Sequence, residues 1–149
     1  MNRRHRARRL ALQGLCCLDV QGSRVDDLIA QFIDDSKEPA PTLAAAHKLL
    51  AAAVAQREES DLILARHAHN WDLSRLAMVD RNILRLAVAE MRGGLTPPKV
   101  ALSEAIRLAQ EFSSAESPRF VNGVLDAVMK EILASGHPAA EPVDSSDEE

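Results

Sequence analysis

Along the chain, apolar residues return every three or four positions and rarely alternate, so the pattern predicts helices throughout. Ala11, Leu15 and Leu18, widened by Leu12 and Cys16, mark a first helix ending near Gly22. Ser23 is placed to cap a second, whose apolar face is Val25, Leu28, Ile29, Phe32 and Ile33. Pro39 and Pro41 interrupt the pattern. Thr42 then caps a stretch over residues 42–67 with Leu43, Ala46, Leu49, Leu50, Ala53, Val54, Leu62 and Ala65 at helical spacing. Its polar middle, residues 56–61, fits either one bridging helix or a break between two.

Trp71 opens a short turn and Ser74 is placed to cap the next helical segment. Leu76, Val79, Ile83, Leu84, Leu86, Ala87 and Met91 make residues 80–91 the expected central buried helix, stopped by Gly93 and Gly94. Asp80 falls at its start, favourable for the helix dipole and placed to meet a partner. Pro98 suits the first turn of the next helix, which carries Val100, Leu102, Ala105, Ile106, Leu108, Ala109 and Phe112. Ser117 followed by Pro118 reads as an N-cap and first position of a last helix. Asn122 and Gly123 form a dipeptide common in hairpins, but Val121, Val124, Leu125, Val128 and Ile132 keep helical spacing through it. Gly123 is therefore expected where a neighbouring backbone comes close.

Composition agrees with an all-α helical bundle. The 149 residues are 46% apolar but only 3% aromatic, which favours helix over sheet. One domain of this size buries about two-thirds of its unfolded surface. Adjacent Cys16 and Cys17 cannot easily join in an unstrained disulfide and lack metal-ligand spacing, so they are expected to be reduced residues of a cytoplasmic protein. The basic start followed by residues 10–18 superficially resembles a signal peptide, but the run is short, contains Gln13 and ends at Asp19. No stretch approaches the roughly 20 apolar residues of a membrane span.

Charge changes the picture more. The formal net charge of −4 averages two opposite ends: Arg3, Arg4, Arg6, Arg8 and Arg9 at one, and Glu141, Asp144, Asp147, Glu148 and Glu149 at the other. At 100° per residue the five arginines ring the helix axis, with no bulky apolar face opposite. Their mutual repulsion is relieved by a partner offering many anionic oxygens, meaning a nucleic-acid backbone. A solvated, frayed terminus is the alternative. Three regions are thus expected: a basic arm over 1–9, a helical body over 10–133, and a disordered acidic tail over 134–149. The tail serves solubility or competes weakly with RNA for the arm.

Catalytic patterns are missing. The sequence has no GxxxxGK[ST] phosphate loop, no HExxH, no CxxC and no GxSxG. His67 and His69 stand at i and i+2, which do not share a helical face, so no metal site is expected. No cofactor is implied, and an enzyme is not expected. Sequence-blind single-strand binders carry several stacking aromatics, and this chain has four aromatic residues, mostly at core spacing. Reading an RNA sequence would therefore call for a partner's help.

Four segments in order carry a resemblance: RRHRARRLALQ (3–13), VDRNILRLA (79–87), TPPKVALSEAI (96–106) and FVNGVLD (120–126). Over about residues 3–133 the chain resembles the NusB family of bacterial transcription antitermination factors. That resemblance implies an all-helical fold of two helical subdomains. It implies a heterodimer with the ribosomal protein NusE that binds the boxA element of nascent RNA, above all in ribosomal RNA leaders. The complex helps RNA polymerase resist termination. By position, Arg4, Arg6 and Arg8, within the run Arg3 to Arg9, match the family's RNA-contacting terminus. Glu116, Arg119 and Phe120 match a second RNA-facing patch, although Phe120 also suits a core anchor. Asp80, with Arg75 and Cys16, lies where the family meets NusE; Asp80 also suits a simple helix-start carboxylate. A homodimer hiding the RNA surface is physically reasonable. Two other classes stay open: the RNA-binding domain of a ribosomal RNA methyltransferase, for which this chain would have to be a fragment, and a helical DNA-binding regulator.

Overall fold

The computed structural model describes residues 2–21, 26–68 and 75–135. Its helices are α1 (Arg3–Gln21), α2 (Asp26–Asp34), α3 (Ala40–Ala55), α4 (Arg57–His67), α5 (Met78–Gly93), α6 (Pro98–Phe112) and α7 (Ser117–Ala134). Among the described residues there is no strand. The expected cap Ser23, the Trp71 turn, the Ser74 cap, His69 and the tail from Gly136 onward lie outside the described residues.

Helix α5 is the shared wall of two helical groups. α1, α2 and α3 pack together on one side, α4, α6 and α7 on the other, and α5 packs against α1, α3, α4, α6 and α7. A helix in that position is buried nearly all round, so its polar residues need partners and its apolar ones fill the core. Ile83, Leu84, Leu86, Ala87, Val88, Ala89 and Met91 are accordingly buried, and the sequence expectation of a central helix holds. The helix ends at Gly94, whose φ of 67° is the left-handed conformation that glycine adopts without strain.

Residues 42–67 form two helices, which settles the choice left open by their polar middle. Gln56 has non-helical φ and ψ of −102° and 8°. Its side-chain carbonyl accepts a hydrogen bond from Arg92 Nη1 at 3.1 Å, fixing the corner against the end of α5. Val54 and Leu62, placed by spacing on the apolar face, are 46% and 60% exposed. The break rotates the two faces independently.

Four other local expectations are corrected. Thr42 does not cap: α3 starts at Ala40, and Thr42 is fully buried inside the first turn. Ser117 is the first residue of α7 and turns its hydroxyl elsewhere, with Glu116 at the N-cap position. Phe32 is 46% exposed, although Ile29 and Ile33 beside it are buried. Gly123 meets nothing within 4 Å of where a Cβ would stand. The close approach belongs instead to Gly14, where an added Cβ would lie 3.2 Å from both Ile29 Cγ2 and Leu50 Cδ2, so α1 rests tightly on α2 and α3.

Candidate nucleic-acid interface

The arginines of the expected basic arm are the first two turns of α1. Because they ring the axis, each pair meets a different neighbour. Arg8 points inward and is 3% exposed. It donates from Nε at 3.0 and 3.2 Å and from Nη2 at 2.8 Å to the Glu90 carboxylate, which also accepts the Thr96 hydroxyl at 2.7 Å. A guanidinium committed to a buried carboxylate has no donor fork left for phosphate. The expectation of Arg8 as an RNA contact is thus corrected: it bolts α1 to α5. His5 is fully buried as well, with Nδ1 at 2.7 Å from Glu104 and Nε2 against Glu111.

The remaining four arginines are half-buried and split into two pairs. Arg6 Nε donates to Glu38 at 3.0 Å; Arg9 lies 3.5 Å from Glu111 and stacks over the Phe112 ring at 5.3 Å. This pair faces a small groove with Phe32. Arg3 and Arg4 face the other way, into a groove of about 300 Å³ between α1, α3 and the α5–α6 turn. Lys48 from α3 lines its far side, and sequence reasoning missed it because a lone lysine in an alanine-rich helix carries no pattern.

A second, larger groove of about 720 Å³ collects the other predicted residues. Arg75, Asp80, Glu116, Arg119 and Phe120 all line it, although they come from two separate stretches of chain. Arg75, Glu116 and Arg119 are exposed. Phe120 is half-buried, packed on the core as its core-anchor reading expects while also lining the groove.

Asp80 is corrected. It is 8% exposed, accepting the Ser113 hydroxyl at 2.5 Å and the Ser117 hydroxyl at 2.9 Å. Ser114 reaches Ser117 at 2.9 Å, so the three serines tie the α6–α7 corner to the first turn of α5. Asp80 therefore shapes the groove's floor and is not available as an exposed partner contact. The polar loop was legible in sequence; its three-serine lock onto Asp80 was not.

Cys16 does not line this groove. It is half-buried beside Asn82, whose amide is 3.9 Å from Sγ, and burial, followed by the charge of Asp19, pushes its thiol up. Asp19 next to it is a hub that spacing did not suggest. It accepts Arg81 Nε and Nη2 at 3.0 and 2.8 Å, Asn82 Nδ2 at 3.0 Å and Arg85 Nη1 at 3.3 Å. Burial pushes its carboxyl up, but the hydrogen bonds from Arg81 and Asn82 and the charges of Arg81 and Arg85 outweigh that and hold it below the usual carboxylate range. Arg85 continues to Asp61 at 2.8 and 2.9 Å. The segment 79–87 thus works as a clamp joining α1, α4 and α5. No group of residues suited to hold a metal ion occurs among the described residues. Among them, too, no helix is long and apolar enough to cross a membrane.

Two helical groups sharing one buried helix, with a cationic groove at the start of α1 and a groove of mixed charge beside the α6–α7 corner, define a class of all-α two-lobed bundles. Within that class the chain belongs to the NusB family, whose model matches residues 5–130. It is 43% identical over 142 residues to the transcription antitermination protein NusB of Solibacter usitatus, covering 94% of this chain and 97% of that one. The corresponding protein of Symbiobacterium thermophilum is 42% identical over 136 residues, 85% of this chain and 89% of that one. Among solved structures, T. maritima NusB superimposes with a TM-score of 0.78 at 28% identity, covering 86% of this chain and 91% of that one. A complex of antitermination factors NusB and NusE with double-stranded RNA includes a chain with a TM-score of 0.78 at 30% identity, covering 87% of this chain and 97% of that one.

Proposed function

We propose that this chain is a transcription antitermination factor that binds boxA-type RNA together with NusE and joins an antitermination complex on RNA polymerase. The reading is of a cytoplasmic adaptor without catalytic chemistry. The observation that carries it is the groove where Arg75, Glu116, Arg119 and Phe120 converge, in a chain whose relatives are named for antitermination. Arg119 offers a bidentate fork for phosphate, and the ring face of Phe120 suits an unstacked base. Arg3 and Arg4 add phosphate contacts at the start of α1, so the chain supplies positioning contacts and the ribosomal protein completes base reading. Two weak surfaces joined in one complex bind more tightly than either alone.

The test is fluorescence-anisotropy binding of a boxA RNA, a scrambled RNA and duplex DNA, with and without NusE, across a salt series. Removing residues 1–9 would also remove His5 and Arg8 from the core, so point substitutions are the right probe. Binding that tightens with NusE, prefers boxA and weakens in Arg4→Ala and Arg119→Ala supports the reading. Preference for duplex DNA, or indifference to NusE, overturns it.

A further inference from the structure

The groove at the start of α1 has a wall that no arginine supplies. Lys48 stands on α3, exposed, and among the described residues has no ion-pair partner. Across the groove from it are Arg3 and Arg4, and the turn after α5 closes one end with Leu95 and Thr96. Of the ten residues lining the groove, none is acidic. The groove holding Arg6 and Arg9 contrasts with it, since Glu38 is part of its wall. The floor is apolar, formed by Ala7, Ala45 and Leu49, with the aliphatic side of Pro41 beside them.

We infer that this groove is a phosphate-binding channel in which Lys48 is a specific contact, and that it takes one phosphate of a single-stranded RNA with its sugar lying on the apolar floor. The inference rests on the RNA-binding reading and adds a residue and a path to it. A volume of about 300 Å³ is at the lower end for ligand pockets and suits a single nucleotide unit. Cations on both walls fit an extended anion entering between them, and an ammonium on a flexible stem tracks a phosphate without demanding one orientation. Close packing of Gly14 on Leu50 holds α1 against α3 and so keeps the two walls at a fixed separation, while the buried Arg8–Glu90 pair ties α1 to α5. The strand then runs between α1 and α3, which puts α3 in the interface.

The test compares wild type, Lys48→Ala, Lys48→Glu and Arg4→Ala in anisotropy titrations with a ten-nucleotide RNA over a salt series. Inorganic tripolyphosphate is separately titrated into ¹⁵N-labelled wild-type protein. Lys48 is exposed, so its variants should melt as wild type does. Expected are a several-fold loss for Lys48→Ala and roughly tenfold for Lys48→Glu, equal for boxA and scrambled sequences. The slope of log affinity against log salt should shrink by about 0.7 in Lys48→Ala. Tripolyphosphate should shift Lys48, Leu95 and Thr96 resonances. Unchanged RNA affinity and slope in both Lys48 variants, with Arg4→Ala weakened, overturns the channel and leaves the RNA reading standing. Absent RNA binding by wild type with tripolyphosphate still shifting these resonances overturns the RNA reading and keeps an anion channel. Absence of both overturns both.

Discussion

Arg8 and Glu90, 82 positions apart, form a bidentate pair in which both side chains are almost wholly buried. The pair fastens the start of α1 to the end of α5 and fixes the direction in which Arg3 and Arg4 project. Breaking one partner leaves a buried charge unpaired, so Arg8→Ala should cost about 3–5 kcal/mol in urea unfolding. A double variant, Arg8→Met with Glu90→Leu, should recover most of that loss. It should also bind RNA with the wild-type salt slope, which would show that Arg8 acts through the fold.

Asp19 predicts the acid limb of stability. Its folded carboxyl titrates below the unfolded value of about 3.9. A depressed carboxylate contributes stability that is fully present above the unfolded value and is lost as pH falls through the folded one. Asp19→Asn should be less stable by about 2–4 kcal/mol at pH 7, since Arg81 and Arg85 lose the negative charge they share. Its melting temperature should fall less steeply than that of wild type between pH 5 and pH 3, as thermal scans at stepped pH would show.

Asp80 and Arg119 should separate shape from charge at the larger groove. Asp80→Ala leaves the Ser113 and Ser117 hydroxyls without their acceptor and should cost about 1–3 kcal/mol. RNA affinity should fall with an unchanged salt slope, because no phosphate contact is removed. Arg119→Ala should preserve the melting temperature and reduce the slope by about 0.7.

Gly14 and Gly123, each inside a helix, should respond in opposite directions. Gly123→Ala fills open space on a helix and should stabilise by about 0.5–1 kcal/mol. Gly14→Val drives methyl groups into Ile29 and Leu50 and should destabilise by about 1–3 kcal/mol. Urea midpoints at unchanged slope would measure both.

The sequence by itself determined the helices apart from the α3–α4 break, the central place of α5, the stop at Gly94 and the start at Pro98, because these depend on periodicity and on backbone chemistry within one turn. It also indicated a cationic chain start, since a charge run is local, while the segment 116–120 was singled out only by the family resemblance. Only the tertiary structure decided which arginine is buried. Arg8 and Arg4 are alike as residues, and what separates them is that Arg8 faces Glu90 in the core while Arg4 is half-buried at the groove. The same holds for Asp80, exposed by position in its helix and buried by a corner more than thirty residues away, and for Gly14, whose crowding comes from two other helices. Lys48 gains its place beside Arg3 and Arg4 in the same manner. Spacing along a chain reports one helix's faces; which face meets a partner is set by the elements packed against it, and those lie far away in sequence.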